Sequence, residues 1–265
     1  MTINTTDIRT VQVTRYVTAL REGGSLPAIA EADDGFLYVV KFRGAGQGTR
    51  ALVADIIGAE LARAAGLKVP ELVFANLDEA FGRTEPDEEI QDLLKASVGL
   101  NLGVHYLQGA ITYDPVVSQF NSHVASEIVW LDALLMNVDR TARNTNMLCW
   151  HNESWLIDFG ASLYFHHAGY YWVEYAAKPF VQIKDHVLLG QATELKIADE
   201  KMRELLTGDV IRHIVSLVPD DWLTYENEKL NAAEIRNTYC DFLINRIAQS
   251  ANFLNEALHA RKLFI

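Results

Sequence analysis

Asn137-Val138-Asp139-Arg140-Thr141-Ala142-Arg143-Asn144 decides the reading of this chain, together with Leu156-Ile157-Asp158-Phe159-Gly160 downstream. An aspartate, an asparagine five residues on and a second aspartate closing an apolar run form a chemically coherent set. They supply one carboxylate to orient a hydroxyl and two oxygen ligands to hold Mg²⁺ against phosphate charge, as phosphoryl transfer requires. In this pattern Asp139 orients the hydroxyl, and Asn144 and Asp158 bind the metal. Residues 146–150 turn apolar after the polar loop, and residues 155–158 follow past a turn near Asn152 and Glu153. Two short strands joined there bring both metal ligands to one end. Each part alone is common: Asp158-Phe159-Gly160 also fits a plain strand ending in a turn.

Immediately upstream, Val117, Phe120, Val124, Ile128, Leu131, Leu134 and Leu135 recur at intervals of three and four, which predicts a helix over 116–136. Such a buried rod gives the Asp139 loop a rigid base. Farther back the chain is strand-like. Ile8 to Val17 alternates, and Ala28 to Ala32 and Phe36 to Phe42 flank a turn at Asp33-Asp34-Gly35. Lys41 therefore lies on a β-branched, aromatic strand. It suits either a nucleotide phosphate or the guarding of a sheet edge.

Gly23, Gly24 and Ser25 can turn backbone N–H groups toward phosphates, although a glycine pair is also ordinary turn chemistry. The second glycine-rich piece, residues 43–50, lacks a Walker ending and reads as a flexible loop, with Arg43 and Arg50 beside the nucleotide. Residues 51–65 have a helical period ending at Gly66. Asp55 and Glu60 are the two acids on that helix able to hold Lys41, and their spacing puts them on different faces, one of them solvated. Residues 69–77 form another strand, and 78–92 a polar surface excursion. Residues 95–113 show no defensible period.

Downstream, His166 and His167 are adjacent, which fits one packed ring and one exposed ring better than a shared metal site. Helices are expected over 178–189, 199–206, 209–217 and 232–260, with a turn at Pro219 to Trp222. Trp222 and Leu223 then seal a surface seam, and Lys184, Asp185 and His186 suit either a place facing the cleft or, more simply, a solvated helix end.

Composition bounds the rest. A chain of 265 residues with 49% hydrophobic and 22% charged content buries a large core. The expected organisation is two domains, 1–80 β-rich and 81–265 mainly helical. The net charge of −12 argues against a general nucleic-acid or anionic-membrane surface. The N-terminus lacks a signal-peptide pattern, and a cytoplasmic location is the default expectation. Cys149 and Cys240 are too few for a disulfide framework.

The chain resembles the HipA-like kinases. The resemblance lies in Gly23 to Ala28, Tyr38 to Arg43, Ala54-Asp55, Glu60 to Glu71, the Asp139 loop, Ile157 to Gly160 and Ile183 to Leu189. It implies an α+β, two-lobed protein-kinase-like fold, with a smaller β-rich N-lobe and a larger mainly helical C-lobe. The implied activity is an ATP- and Mg²⁺-dependent phosphotransferase acting on Ser or Thr hydroxyls of a protein. It further implies Asp139 as the catalytic aspartate, Gly24, Ser25 and Lys41 at the nucleotide, and Asn144 with Asp158 at the metal. Asp55 matches the acidic partner of Lys41 better than Glu60. Asp139-Arg140 also resembles the loop of phosphatidylinositol kinases, so a small-molecule or lipid kinase is the alternative, with a nucleotide-binding pseudokinase or binding module as the third reading.

Overall fold

The computed structural model describes residues 7–20, 26–81, 86–117, 120–169, 172–225 and 229–263; Gly24 and Ser25 lie outside them. The fold is mixed α/β, in two compact units: Met1–Val53 with Pro70–Gly109, and Ala54–Val69 with Ala110–Ile265.

The first unit is built on strands β1 (Thr10–Ala19), β2 (Ala28–Ala32), β3 (Leu37–Lys41), β4 (Leu72–Leu77) and β5 (Gly99–His105). Helix α1 (Gly48–Ala64) starts in this unit and continues into the second, and α2 (Glu88–Ala96) precedes β5. The strands close a barrel in the order β1-β2-β3-β5-β4, with β1 and β4 parallel. Closure removes the exposed edges an open sheet would present, and it takes β5 from residues 95–113, where the sequence shows no period. A barrel this small needs small inward residues. Ala28, Ala30, Ala32, Val40, Val73 and Ala75 supply them, with Tyr38 and Phe42 filling the remainder. Gly103 shows how tight the wall is, since a Cβ there would lie 2.6 Å from Val73 Cγ2. Helix α2 starts at Asp87, whose carboxylate caps Glu89 N–H at 3.0 Å, and it adds Leu94 to the core.

In the second unit β6 (Ile111–Thr112), β7 (Met147–Trp150) and β8 (Glu153–Leu156) form a sheet in sequence order. The same unit holds α3 (Ser122–Leu135), α4 (Trp172–Ala177), α5 (Leu195–Leu205), α6 (Gly208–Ser216), α7 (Ala232–Ala248) and α8 (Ala251–Lys262). From Ala125 to Leu135 every residue of α3 is buried, so it is a core rod rather than an amphipathic surface helix. It begins later than its period suggests. Asn121 caps His123 N–H at 2.8 Å, while Val116 and Val117 stand exposed in a turn. Arg246 on α7 is fully buried and donates to the carbonyls of Ala133 and Leu134 at the end of α3 and of Tyr175, Ala176 and Lys178 at the end of α4. It thus supplies donors that helix C-termini otherwise lack.

Three expectations change. Residues 232–260 are two helices, because Gln249 leaves the helical backbone at φ −107°. Residues 178–189 hold only a short 3₁₀ turn, Val181–Asp185, after Pro179 interrupts the helical run; Lys184 and Asp185 are exposed as expected, but His186 is buried. Trp222 and Leu223 are fully buried, well inside the surface seam expected of them. His166 and His167 divide as expected, the first buried and the second exposed.

Candidate active site

The C-terminus of α3 feeds straight into the Asp139 loop. Met136 takes a left-handed conformation (φ 57°) and ends the helix, and Asn137 turns its side chain back to it, donating Nδ2–H to Asp132 Oδ1 at 2.9 Å. The Asn137 Oδ1 then accepts the Asp139 backbone N–H at 3.1 Å, so the loop start is pinned to the helix. Thr141 N–H donates to the carbonyls of Asp139 and Asn144, both at 2.9 Å, which folds residues 139–144 into a compact turn.

Within that turn the Asp139 carboxylate is partly exposed. Its Oδ2 accepts Nδ2–H from Asn144 at 2.7 Å and from Asn146 at 3.1 Å. No described residue donates to its Oδ1. Because Asn144 spends its amide nitrogen on Asp139, its amide oxygen remains for a cation. The β7–β8 hairpin forms as the sequence suggests, pairing Met147 with Leu156. One step earlier, Ile157 N–H donates to the Asn146 carbonyl at 3.0 Å. This ladder sets Asp158 beside the loop.

Asp158 itself has φ 55°, a left-handed conformation that costs a non-glycine residue energy and persists only where neighbours enforce it. Its Oδ1 accepts Gly160 N–H at 3.3 Å. Next to it, Phe159 N–H donates to Asp55 Oδ1 at 2.7 Å, and the Phe159 ring packs on α1 at Gly58, where a Cβ would meet Phe159 Cβ at 2.5 Å. Asp55 and Glu60 are both buried, so neither is the solvated acid expected. Glu60 pairs with Arg63 at 3.2 Å, whereas Asp55 faces the Asp158 segment.

Behind the loop lies a buried ionic group that sequence reasoning missed. Arg140 Nε donates to Asp132 Oδ2 at 2.6 Å, and His186 Nε2 lies 2.9 Å from the same oxygen. Arg140 Nη1 donates to the carbonyls of Asn146 and, at 3.4 Å, Ile157, and its guanidinium sits 5.0 Å from the Phe159 ring centroid. Burial is the largest single influence on Asp132 and pushes its pKa up. The charge of Arg140, the hydrogen bond and electrostatic attraction of His186 and the hydrogen bond from Arg140 together outweigh it and hold the carboxyl at about 2. His186 is shifted the opposite way to what a carboxylate neighbour favours, because burial, joined by the charge of Arg140, lowers its pKa more than Asp132 raises it.

Lys41, on β3 of the first unit, is half-buried; Asp139, Asn144, Asp158 and Asp55 all belong to the second. Among the described residues no cluster of three His, Cys, Asp or Glu side chains could hold a metal. One amide oxygen and one carboxylate still fit Mg²⁺, which keeps several waters and binds through one or two carboxylates plus substrate phosphates. The sequence signal for the missing residues was weak. Asn137 and Arg140 stand within two residues of Asp139, but Asp132 and His186 stand 54 residues apart and announce nothing alone.

No curated protein matches this chain in sequence. Among solved structures, it is similar to the Helicobacter pylori proinflammatory kinase CtkA, with a TM-score of 0.53 and 13% identity over 97% of this chain and 99% of that one. A Golgi casein kinase with Mn/ADP bound is more distant, with a TM-score of 0.45 and 11% identity over 99% of this chain and 76% of that one. The first likeness shows the fold and the second is too remote to argue from. The family match is broader in consequence: the model of the HipA-like kinases covers residues 13–256, so this chain belongs to the HipA-like kinase family and is an ATP-dependent kinase.

Proposed function

We propose that this kinase is Mg²⁺-dependent and phosphorylates Ser or Thr hydroxyls of a protein. The observation that carries the reading is the state of Asp139. Two asparagine amides occupy its Oδ2, while no described residue donates to its Oδ1. The two amides fix the carboxylate plane, and Oδ1 accepts the hydrogen bond of the acceptor hydroxyl, aims its oxygen and takes its proton as the new bond forms. ATP supplies the phosphoryl group, and Mg²⁺ offsets the charge of its phosphates. The amide oxygen of Asn144 and the carboxylate of Asp158 would hold that ion, and hard oxygen donors suit it.

Lys41 is assigned to the nucleotide phosphates and Asp55 to the role of its acidic partner, with the backbone of Gly24 and Ser25 also at the phosphates; the family motifs support these roles. A polypeptide acceptor is supported by the open approach to the loop, since Ala142, Arg143 and Asn144 are all exposed beside Asp139. The free thiols of Cys149 and Cys240 agree with a reducing, cytoplasmic setting.

The test is transfer from labelled ATP, with Mg²⁺, onto protein and onto a panel of small alcohols. Protein-bound label that is acid-stable, as phosphoserine and phosphothreonine are, is expected. Asp139→Asn should lower turnover by about 10²–10⁴ while calorimetry shows unchanged nucleotide binding. Transfer confined to small alcohols, or full activity in Asp139→Asn, overturns the reading.

A further inference from the structure

We propose that Asp132 and His186 are positioning residues for phosphoryl transfer, acting through Arg140 and Asn137 to hold Asp139 and Asp158 in one arrangement. This rests on the roles given above to Asp139 and Asp158. Neither Asp132 nor His186 touches the reacting groups.

Asp132 reaches the Asp139 loop by two routes. Its Oδ1 accepts from Asn137, which accepts the Asp139 N–H; its Oδ2 accepts from Arg140, the residue after Asp139. Arg140 carries the second route onward. It donates to the Ile157 carbonyl just before Asp158 and lies over the ring of Phe159 just after it. One guanidinium therefore touches both neighbours of a residue held at φ 55°, and this grip over-determines that backbone.

His186 fixes the orientation of Asp132. The Leu188 N–H donates to His186 Nδ1 at 3.0 Å, so Nδ1 carries no proton. The proton is on Nε2, which donates to Asp132 Oδ2 at 2.9 Å, and the imidazole is neutral. The surrounding strap is sewn to the loop as well: Val187 N–H donates to the Arg140 carbonyl at 3.1 Å, and Thr141 and His186 form an antiparallel bridge. Leu188 and Leu189 anchor the strap in the core. Stability alone does not call for this group, because well-packed apolar residues of similar volume commonly stabilise a core as much as or more than a buried ion pair. Directional bonds that place two functional aspartates are what an apolar core would not provide.

The experiment uses the full chain with His186→Leu, His186→Gln and Asp132→Asn, alongside Asp139→Asn. In the wild type without nucleotide, imidazole nitrogen shifts should report His186 as the neutral Nε2–H tautomer. His186→Leu should lower kcat about 10–100-fold, the usual scale for partners that orient functional ligands, with nucleotide KM little changed. Spin-resonance titration of Mn²⁺ in the presence of ADP should show weakened metal binding. His186→Gln, which can return an N–H near the Nε2 position, should recover most of both losses at a melting temperature equal to that of His186→Leu. Asp132→Asn, which keeps the shape and removes the charge, should lower kcat at least as far as His186→Leu does. A protonated imidazole in the wild type, an unimpaired His186→Leu, or a loss that follows melting temperature and ignores the glutamine overturns the proposal. If Asp139→Asn is dead and His186→Leu is unimpaired, only this inference fails; if Asp139→Asn is fully active, the proposed function fails first.

Discussion

Two arginines sit in the core of the second unit, and they are held in opposite ways. Arg140 lies against a carboxylate and an imidazole next to Asp139. Arg246 has only backbone carbonyls for hydrogen-bond partners among the described residues, with the Phe253 ring centroid 5.0 Å from its guanidinium, and burial alone pushes its pKa down to about 9. Each is almost completely inaccessible. Arg246 ties off helix ends with neutral acceptors, a task in which its neighbours are regular structure and only their existence matters. Arg140 is bound by a specific ion pair at a loop, where the position of two side chains matters. The same residue thus serves cohesion in one place and alignment in the other.

The sharpest way to break that contrast is truncation. Asp132→Ala strands a buried guanidinium, and unfolding in urea should show a loss of about 3–5 kcal/mol together with loss of turnover. Arg246→Met leaves several carbonyls unsatisfied and should cost about 2–3 kcal/mol, yet the folded fraction should keep its kcat and nucleotide KM. A drop in kcat for fully folded Arg246→Met would erase the distinction.

A gentler probe is pH. The Asp132 carboxyl sits at about 2 in the folded chain, below the value of about 3.9 for an unfolded aspartate. A lowered folded value means the charged form contributes stability above about pH 4, and that contribution disappears as pH falls through about 2. Urea midpoints for wild type and Asp132→Asn should therefore differ by a constant amount from pH 7 to about 5 and converge between about 4 and 2. A gap that stays open at pH 2 would mean the Asp132 side chain acts through shape rather than charge.

Much of this architecture was legible before folding, and the legible part is local. The β2–β3 hairpin around Asp33-Asp34-Gly35, the β7–β8 hairpin and the α3 rod all carry short-range patterns; the hairpins appear where those patterns put them, and α3 does so from Ser122 onward. The spacing of Asp139, Asn144 and Asp158 brought out a set that the second unit does assemble around one loop and hairpin. What stayed hidden depends on distant partners. β5 has no period of its own because its two neighbours, β3 and β4, decide its register. His186 looked like a charged helix end because Lys184 and Asp185 precede it; only the arrival of Asp132 turns it inward. One of Asp55 and Glu60 was expected to be solvated, but the Phe159 N–H and Arg63 give each a reason to be buried.

The missing side chain at position 58 gives the helix α1 a use of its own. Because even one methyl there would run into Phe159, Gly58→Ala is a back-door brake: it leaves every polar group of the site in the sequence while prising the Asp158 segment off its seat. Such a variant should transfer little phosphate and melt below wild type, since overpacking a filled core costs about 1–3 kcal/mol, and it tests the seat of Asp158 with Asp139 and its loop bonds left in place.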